Sequence, residues 1–203
     1  MANLTKKAIR DAFVKLLNQR PLHQITVKDV VETCGVNRNT FYYYYQDIPQ
    51  LLESVIIEES ERIIRENPSM DSIEQCLETA GSFMLANRRA AQHLFRSTSR
   101  DMFESHLWKT CRHTLTIYYD GLLQGHKIAD SDRQLLIDHA TCTCFGFLIG
   151  WMENGMTNDL MGQFSRMCQI RQGEINRMIA RCEEDFLKTG EHTAFPAGRA
   201  VFA

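Results

Sequence analysis

Residues 26–45, TVKDVVETCGVNRNTFYYYY, decide the fold. Val27, Val30, Val31 and Cys34 recur at helical spacing over two turns, and Thr26 with Asp29 three residues on forms a capping box at their start. Gly35 suits the positive φ of a tight turn, Val36 points inward, and Asn37 caps a second short helix. Helix, a short turn containing glycine, then helix is a helix-turn-helix. In the second helix Phe41 and Tyr45 are expected to pack against Val30 and Val31. Consecutive helical residues point about 100° apart, so the run Tyr42 to Tyr45 cannot all be core. At least two of these rings must be exposed.

The outward set is Asn37, Arg38, Asn39, Thr40, Tyr42 and Tyr43. Arg38 can donate a bidentate pair to guanine, and Asn39 can bridge the adenine edge. Thr40 and the tyrosine hydroxyls can hold phosphates, and the Tyr42 ring can lie on a thymine methyl. The free N–H groups opening helix 26–34, with Thr26 and Lys28 beside them, suit a backbone phosphate. This pattern predicts that the second helix contacts double-stranded DNA.

Outward from the motif, helical spacing continues along the chain. Ile9, Ala12, Phe13, Leu16 and Leu17 share a face of a first helix, and Ile48, Leu51, Leu52, Val55, Ile56 and Ile63 share a face of a longer one. No stretch alternates at period two for long, and no proline occurs between residues 69 and 195. The expectation is an all-α protein of about nine helices, near 4–19, 26–34, 37–43, 47–66, 71–87, 89–97, 99–124, 131–155 and 160–188. Thr26-x-x-Asp29, Asp47-x-x-Gln50, Asp71-x-x-Glu74, Thr98-x-x-Asp101 and Ser131-x-x-Gln134 are read as caps at five of them. The division that follows is a DNA-binding domain over 1–46, a connecting helix over 47–66, a ligand-binding and dimerisation domain over 67–189, and a loose tail over 190–203. Phe195, Val201 and Phe202 give that tail apolar side chains with which to dock.

The chain has 203 residues with 44% hydrophobic and 24% charged, proportions that exclude wholesale disorder or a collagenous repeat. Its net charge of −2 is unevenly spread: residues 1–50 hold seven Lys/Arg against four acids, leaving +3 there and −5 in the remainder. A basic head on an acidic body fits a polyanion at one end. The longest apolar run, Cys142 to Met152, is eleven residues and short for a membrane span, and the first residues do not read as a signal peptide. Seven scattered cysteines fit reduced core thiols better than a disulfide framework. A cytoplasmic location without membrane contact is expected.

The first 65 or so residues resemble the DNA-binding domain of the TetR family of bacterial transcriptional repressors. The resemblance rests on ITVKDVV, on CGVNRNTFYYYY in place of the family's A-G-V-S-x-G-T-x-Y-x-H-F, and on a following helix opening near Leu51-Leu52. It implies phosphate and base contacts at Thr26, Lys28, Asn37, Arg38, Asn39, Thr40, Tyr42, Tyr43 and Tyr44. Tyr44 stands where His is common, Asn39 where Gly is common, and Ile48 where the family often has Lys, which implies one fewer phosphate contact. It further implies that the remainder is a helical ligand-binding and dimerisation domain.

The second half is compatible with that implication. Helix 131–155 is apolar nearly all round from Ala140 to Met152, so several of its sides should be buried. Ala140, Thr143, Gly146 and Gly150 form a stripe of small residues allowing close approach. Helix 160–188 offers Phe164, Cys168, Ile175, Met178, Ile179, Cys182 and Phe186 on one face. The resemblance implies that these two helices meet their copies in a homodimer. A pocket for an apolar or aromatic effector is sought between Trp108, Cys111, Leu115, Tyr118 and Leu122 on one helix and His139, Cys142, Phe147 and Trp151 on the next.

The sequence points to a homodimeric repressor that binds a palindromic operator and is released by a small-molecule effector, with no cofactor. A thiol- or metal-responsive regulator is an alternative, since His139 and Cys142 share a helix face and Cys111 or His113 could join them; Cys144 points about 160° away from Cys142. A DNA-organising protein without a ligand is another. An enzyme is disfavoured: the chain has no Gly-rich phosphate loop, no G-x-S-x-G and no H-E-x-x-H.

Overall fold

A computed structural model of the chain describes residues 2–66 and 72–189. These residues are all-α, with ten α-helices and one 3-10 turn at Leu22–Gln24. The head consists of α1 (Ala2–Leu17), α2 (Val27–Cys34) and α3 (Arg38–Tyr44), closed by the start of α4 (Ile48–Glu66). The body comprises α5 (Ile73–Ala86), α6 (Arg88–Phe95), α7 (Arg100–Leu122), α8 (Asp130–Glu153), α9 (Leu160–Ile170) and α10 (Glu174–Thr189).

The head's core follows from the apolar spacing. Ile9, Phe13, Val30, Phe41, Leu51 and Leu52 are fully buried, so three short helices and one turn of α4 share one interior. Ion pairs hold α4 to α1: Glu58 accepts a hydrogen bond from Lys6 Nζ at 2.8 Å and pairs with Arg10, which also reaches Glu59 at 3.6 Å. Burial alone would raise the Glu58 carboxyl, but Lys6, Arg10 and Ser54 outweigh it and hold the group below its ordinary range.

In the body α7 is central, packing against α4, α5, α6 and α8. Leu77, Leu115, Ile137, Leu148, Met152 and Phe164 are its most deeply buried side chains. Thr110, Thr114 and Thr141 are buried without penalty because each hydroxyl donates to a carbonyl of the preceding turn. Helix α6 is bonded on two sides. Ala90 N donates to Asn18 Oδ1 at 3.2 Å and His93 Nδ1 lies 2.7 Å from the Leu17 carbonyl, tying it to α1. Arg88 and Gln92 both donate to the Gly155 carbonyl, at 2.8 and 2.7 Å, tying it to the turn after α8.

The helix expected over 160–188 is two helices. Helix α9 stops at Ile170, and the turn into α10 passes through Gly173 at φ +77, a left-handed conformation that side-chain-bearing residues rarely adopt. Two expected caps are also not made: α7 begins after Ser99 and α8 after Ala129, neither with a side-chain cap. The Thr26 box and the Asp47 cap form as read, and Asp159 caps α9 through the Gly162 N–H at 2.9 Å, which the sequence reading missed. The Asp71 cap and the tail with Phe195, Val201 and Phe202 lie outside the described residues. Helix α8 is long and apolar enough by composition to cross a membrane, with mean hydropathy 1.4, although the apolar run read from the sequence is short. Its inward residues, among them Ala140, Cys144, Leu148 and Trp151, are instead part of the protein core.

Candidate DNA-reading face and ligand cavity

The turn between α2 and α3 is built as its residues dictate. Gly35 takes φ +72 at the end of α2, and Asn37 Oδ1 accepts from the Thr40 N–H at 2.8 Å to open α3. Phe41 is fully buried and Tyr45 is 3% exposed, so they root α3 in the head. Tyr42 and Tyr43 then project outward at 55% and 80% exposure, with Arg38 and Asn39 exposed beside them. Tyr44 is half-buried against the core, its ring 4.9 Å from that of Tyr43.

The remaining members of the predicted set already serve the fold. Thr26 Oγ1 donates to Asp29 Oδ2 at 2.6 Å and accepts from the Asp29 N–H at 3.3 Å. Thr40 Oγ1 donates to Asn37 Oδ1 at 2.9 Å. Each hydroxyl has one proton, so both can offer a partner only lone pairs unless they rotate. Asn37 keeps its amide nitrogen as a donor. Lys28 is exposed and 3.7 Å from Glu32. The Thr26 hydrogen bonds, side chain first and then backbone, with Arg20 beside them, hold the Asp29 carboxyl at about 2. Arg20, which lies 2.9 Å from Asp29, is thus committed to the cap. Arg38 is the exposed cation of α3, and Lys7 and Lys15 are exposed on α1.

The expected effector residues do not converge. Cys111, Leu115 and Trp151 are buried in the body core, and Trp151 Nε1 donates to the Asn158 carbonyl at 3.1 Å. Trp108 packs edge-on against Phe145, and Phe147 against Phe164. Cys142 is exposed. Tyr118 and His139 line a space of about 220 Å³ between α5, α7, α8 and the α9–α10 turn, whereas Cys142, Phe147 and Trp151 line a separate open groove along α8 with Gly146 and Gly150. The sequence reading missed Tyr119, Glu74, Arg171 and Glu174 in its wall. Another space of about 80 Å³, lined mainly by apolar side chains, lies where α1 and α4 meet α6 and α7.

The residues named for dimerisation divide between two sides. Ala140, Phe164 and Ile179 are buried within the subunit. Cys168, Ile175, Met178 and Cys182 are half-buried. Gly146 and Gly150 face outward with Cys142 and with Leu135, which is 54% exposed, and Thr143 is half-buried beside them. Among the described residues no group of three or more His, Cys, Asp or Glu side chains is placed to hold a metal ion. Burial pushes the Cys76 and Cys111 thiols up to about 12.

Residues 9–55 match the family described as bacterial regulatory proteins, tetR family, and residues 71–171 match a transcriptional regulator C-terminal region of that family. The chain is 34% identical over 64 residues to the HTH-type dhaKLM operon transcriptional activator DhaS of Lactococcus lactis, a match spanning 32% of this chain and 34% of that protein. The fold is similar to that of a dihydroxyacetone kinase operon activator DhaS, with TM-score 0.68 and 20% identity over 89% of this chain and 97% of that one. It is also similar to the fatty acid degradation regulator FadR from Bacillus halodurans, with TM-score 0.60 and 16% identity over 81% and 93% of the two chains. Salmonella enterica GusR follows at TM-score 0.56 and 17% identity, over 80% and 92%. With a glycine-turned helix pair in its head and both regions matched, the chain belongs to the TetR family of bacterial transcriptional regulators.

Proposed function

We propose that this regulator is a cytoplasmic repressor that binds a palindromic operator as a homodimer and releases it on binding a small-molecule effector. The observation that carries the DNA reading is the outer face of α3, where Arg38, Asn39, Tyr42 and Tyr43 are exposed on a helix rooted by Phe41 and Tyr45. Arg38 reads guanine and Asn39 adenine, while Tyr42, Tyr43, Thr40, Asn37, Lys28 and the start of α2 hold the backbone. Tyr44 contributes its edge at the rim. Residues 1–46 act as the reader, 47–66 as the connector and 67–189 as the sensor and dimerisation unit.

The outer face of α8 supports dimerisation. Leu135, Cys142, Gly146 and Gly150 are apolar or small, and the subunit leaves them uncovered. A second copy crossing there would bury the sides of α8 that one subunit cannot. Two heads about one helical turn apart, roughly 34–36 Å, would reach successive major grooves. The effector acts by binding one head separation better than the other.

Selection of bound fragments from genomic DNA by the purified protein, followed by fluorescence anisotropy on the recovered sequence, tests the reading. A palindrome bound by two chains is the expected result. Recovery of fragments without a shared sequence would favour a DNA-organising role instead. Because the DhaS relative is named an activator, a promoter–reporter fusion with and without the regulator decides the sign of control.

A further inference from the structure

The cavity under the α9–α10 turn has features that its packing does not require. Tyr119 lines it, is 3% exposed, and its hydroxyl makes no hydrogen bond to another described residue. A polar group bound in the cavity can take that hydroxyl as its partner. Charge is the second feature. Arg171, at the mouth, is paired with Glu174. Glu74, in the first turn of α5, lines the same cavity and has no basic partner among the described residues. Its neighbour is the Cys168 thiol, which burial first and then Glu74 push up to about 11, so that thiol stays protonated and neutral. Glu74 is thus a carboxylate in the wall that no basic side chain among the described residues pairs with.

The third feature is the wall itself. Tyr118, Tyr119 and Phe164 present aromatic surface, with the Tyr118 and Tyr119 rings 5.3 Å apart and 81° to one another. Met167 and Met178 add polarisable thioethers. Aromatic faces next to an unpaired carboxylate attract a cation. They repel a carboxylate.

We propose that this cavity binds a small organic cation, an ammonium group on an aromatic or apolar body, with Glu74 and the Tyr119 hydroxyl meeting the ammonium. A space of about 220 Å³ limits the ligand to about ten non-hydrogen atoms, below drug size. The site deepens the effector reading above and rests on it for its regulatory meaning, but its occupancy is measured without DNA.

Isothermal titration of the full chain near pH 7 with three isosteric probes tests it: 2-phenylethylammonium, 2-phenylethanol and phenylacetate. The ammonium should bind once per subunit, about tenfold tighter than the alcohol, and phenylacetate should not saturate. Glu74→Gln should lose about tenfold for the ammonium and leave the alcohol nearly unchanged. Tyr119→Phe, which removes one oxygen and keeps the ring, should weaken the ammonium several-fold with an unaltered circular dichroism spectrum. Equal binding of the three probes, tighter binding of phenylacetate, no binding at all, or an unaffected Glu74→Gln variant would overturn the assignment. Ammonium binding by a protein that ignores operator DNA would support the cation site and overturn the regulatory reading.

Discussion

Arg38 is exposed and makes no ion pair with another described residue, so its removal should act on DNA alone. Arg38→Ala should weaken operator binding by about 1–3 kcal/mol per guanine contact and relax preference at that base. Anisotropy on single-base operator variants reads both; an unchanged preference would remove Arg38 from base readout. Gly35 differs in kind. Nothing lies within 4 Å of where its Cβ would sit, so Gly35→Ala meets no clash, yet φ +72 strains any side-chain-bearing residue. A loss of about 1 kcal/mol in urea unfolding is expected, from backbone conformation alone. Asp29 gives a pH signature. Its folded pKa of about 2 lies below the ordinary carboxylate value, so its stabilisation is complete above about pH 4. That stabilisation is lost as pH falls from about 4 through 2. Asp29→Asn should therefore flatten the melting temperature against pH across that window, measured by circular dichroism.

At the scale of elements, the head was legible because its signals are local. Phe41 and Tyr45 sit four residues apart, Gly35 ends one helix, and Asn37 and Thr26 cap two, all within a 20-residue stretch. The body is another matter. Cys168, Ile175 and Met178 keep an apolar rhythm straight across Gly173, with no proline to break it, so two helices read as one. The cavity depends on residues from α5, α7, α8 and the α9–α10 turn, which only packing brings together. Tyr118 and Tyr119 line it as chain neighbours, whereas a search at three- and four-residue spacing picks only one. The turn itself is testable. Gly173→Ala should destabilise by about 1 kcal/mol at φ +77 without a clash, since no atom lies within 4 Å of the added carbon. Thermal unfolding checks it.

For the whole molecule, the central expectation is that the uncovered side of α8 is the seam between two copies. Gly146 has open space around it in the single subunit, so Gly146→Glu leaves the subunit's own packing intact. In a dimer it would bring two carboxylates to the crossing of α8 with its copy. Sedimentation velocity should show a shift from dimer to monomer with the helical signal preserved, and operator affinity should fall with it. A variant that remains a dimer would move the seam elsewhere.

The division of labour on α3 has an evolutionary meaning. Asn37 and Thr40 are bound into the cap, and Phe41 and Tyr45 into the core, so exchanging them endangers the head. Arg38 and Asn39 are exposed and make no side-chain hydrogen bond or ion pair with another described residue. Tyr42 is 55% exposed and meets the Phe41 ring edge-on. Surface positions of this kind usually change stability by under about 0.5 kcal/mol when substituted. If α3 reads the operator as proposed, a duplicated copy of this gene could drift to a new operator through those three positions while remaining a folded protein at every step, which would make this helix the natural point of divergence for paralogues.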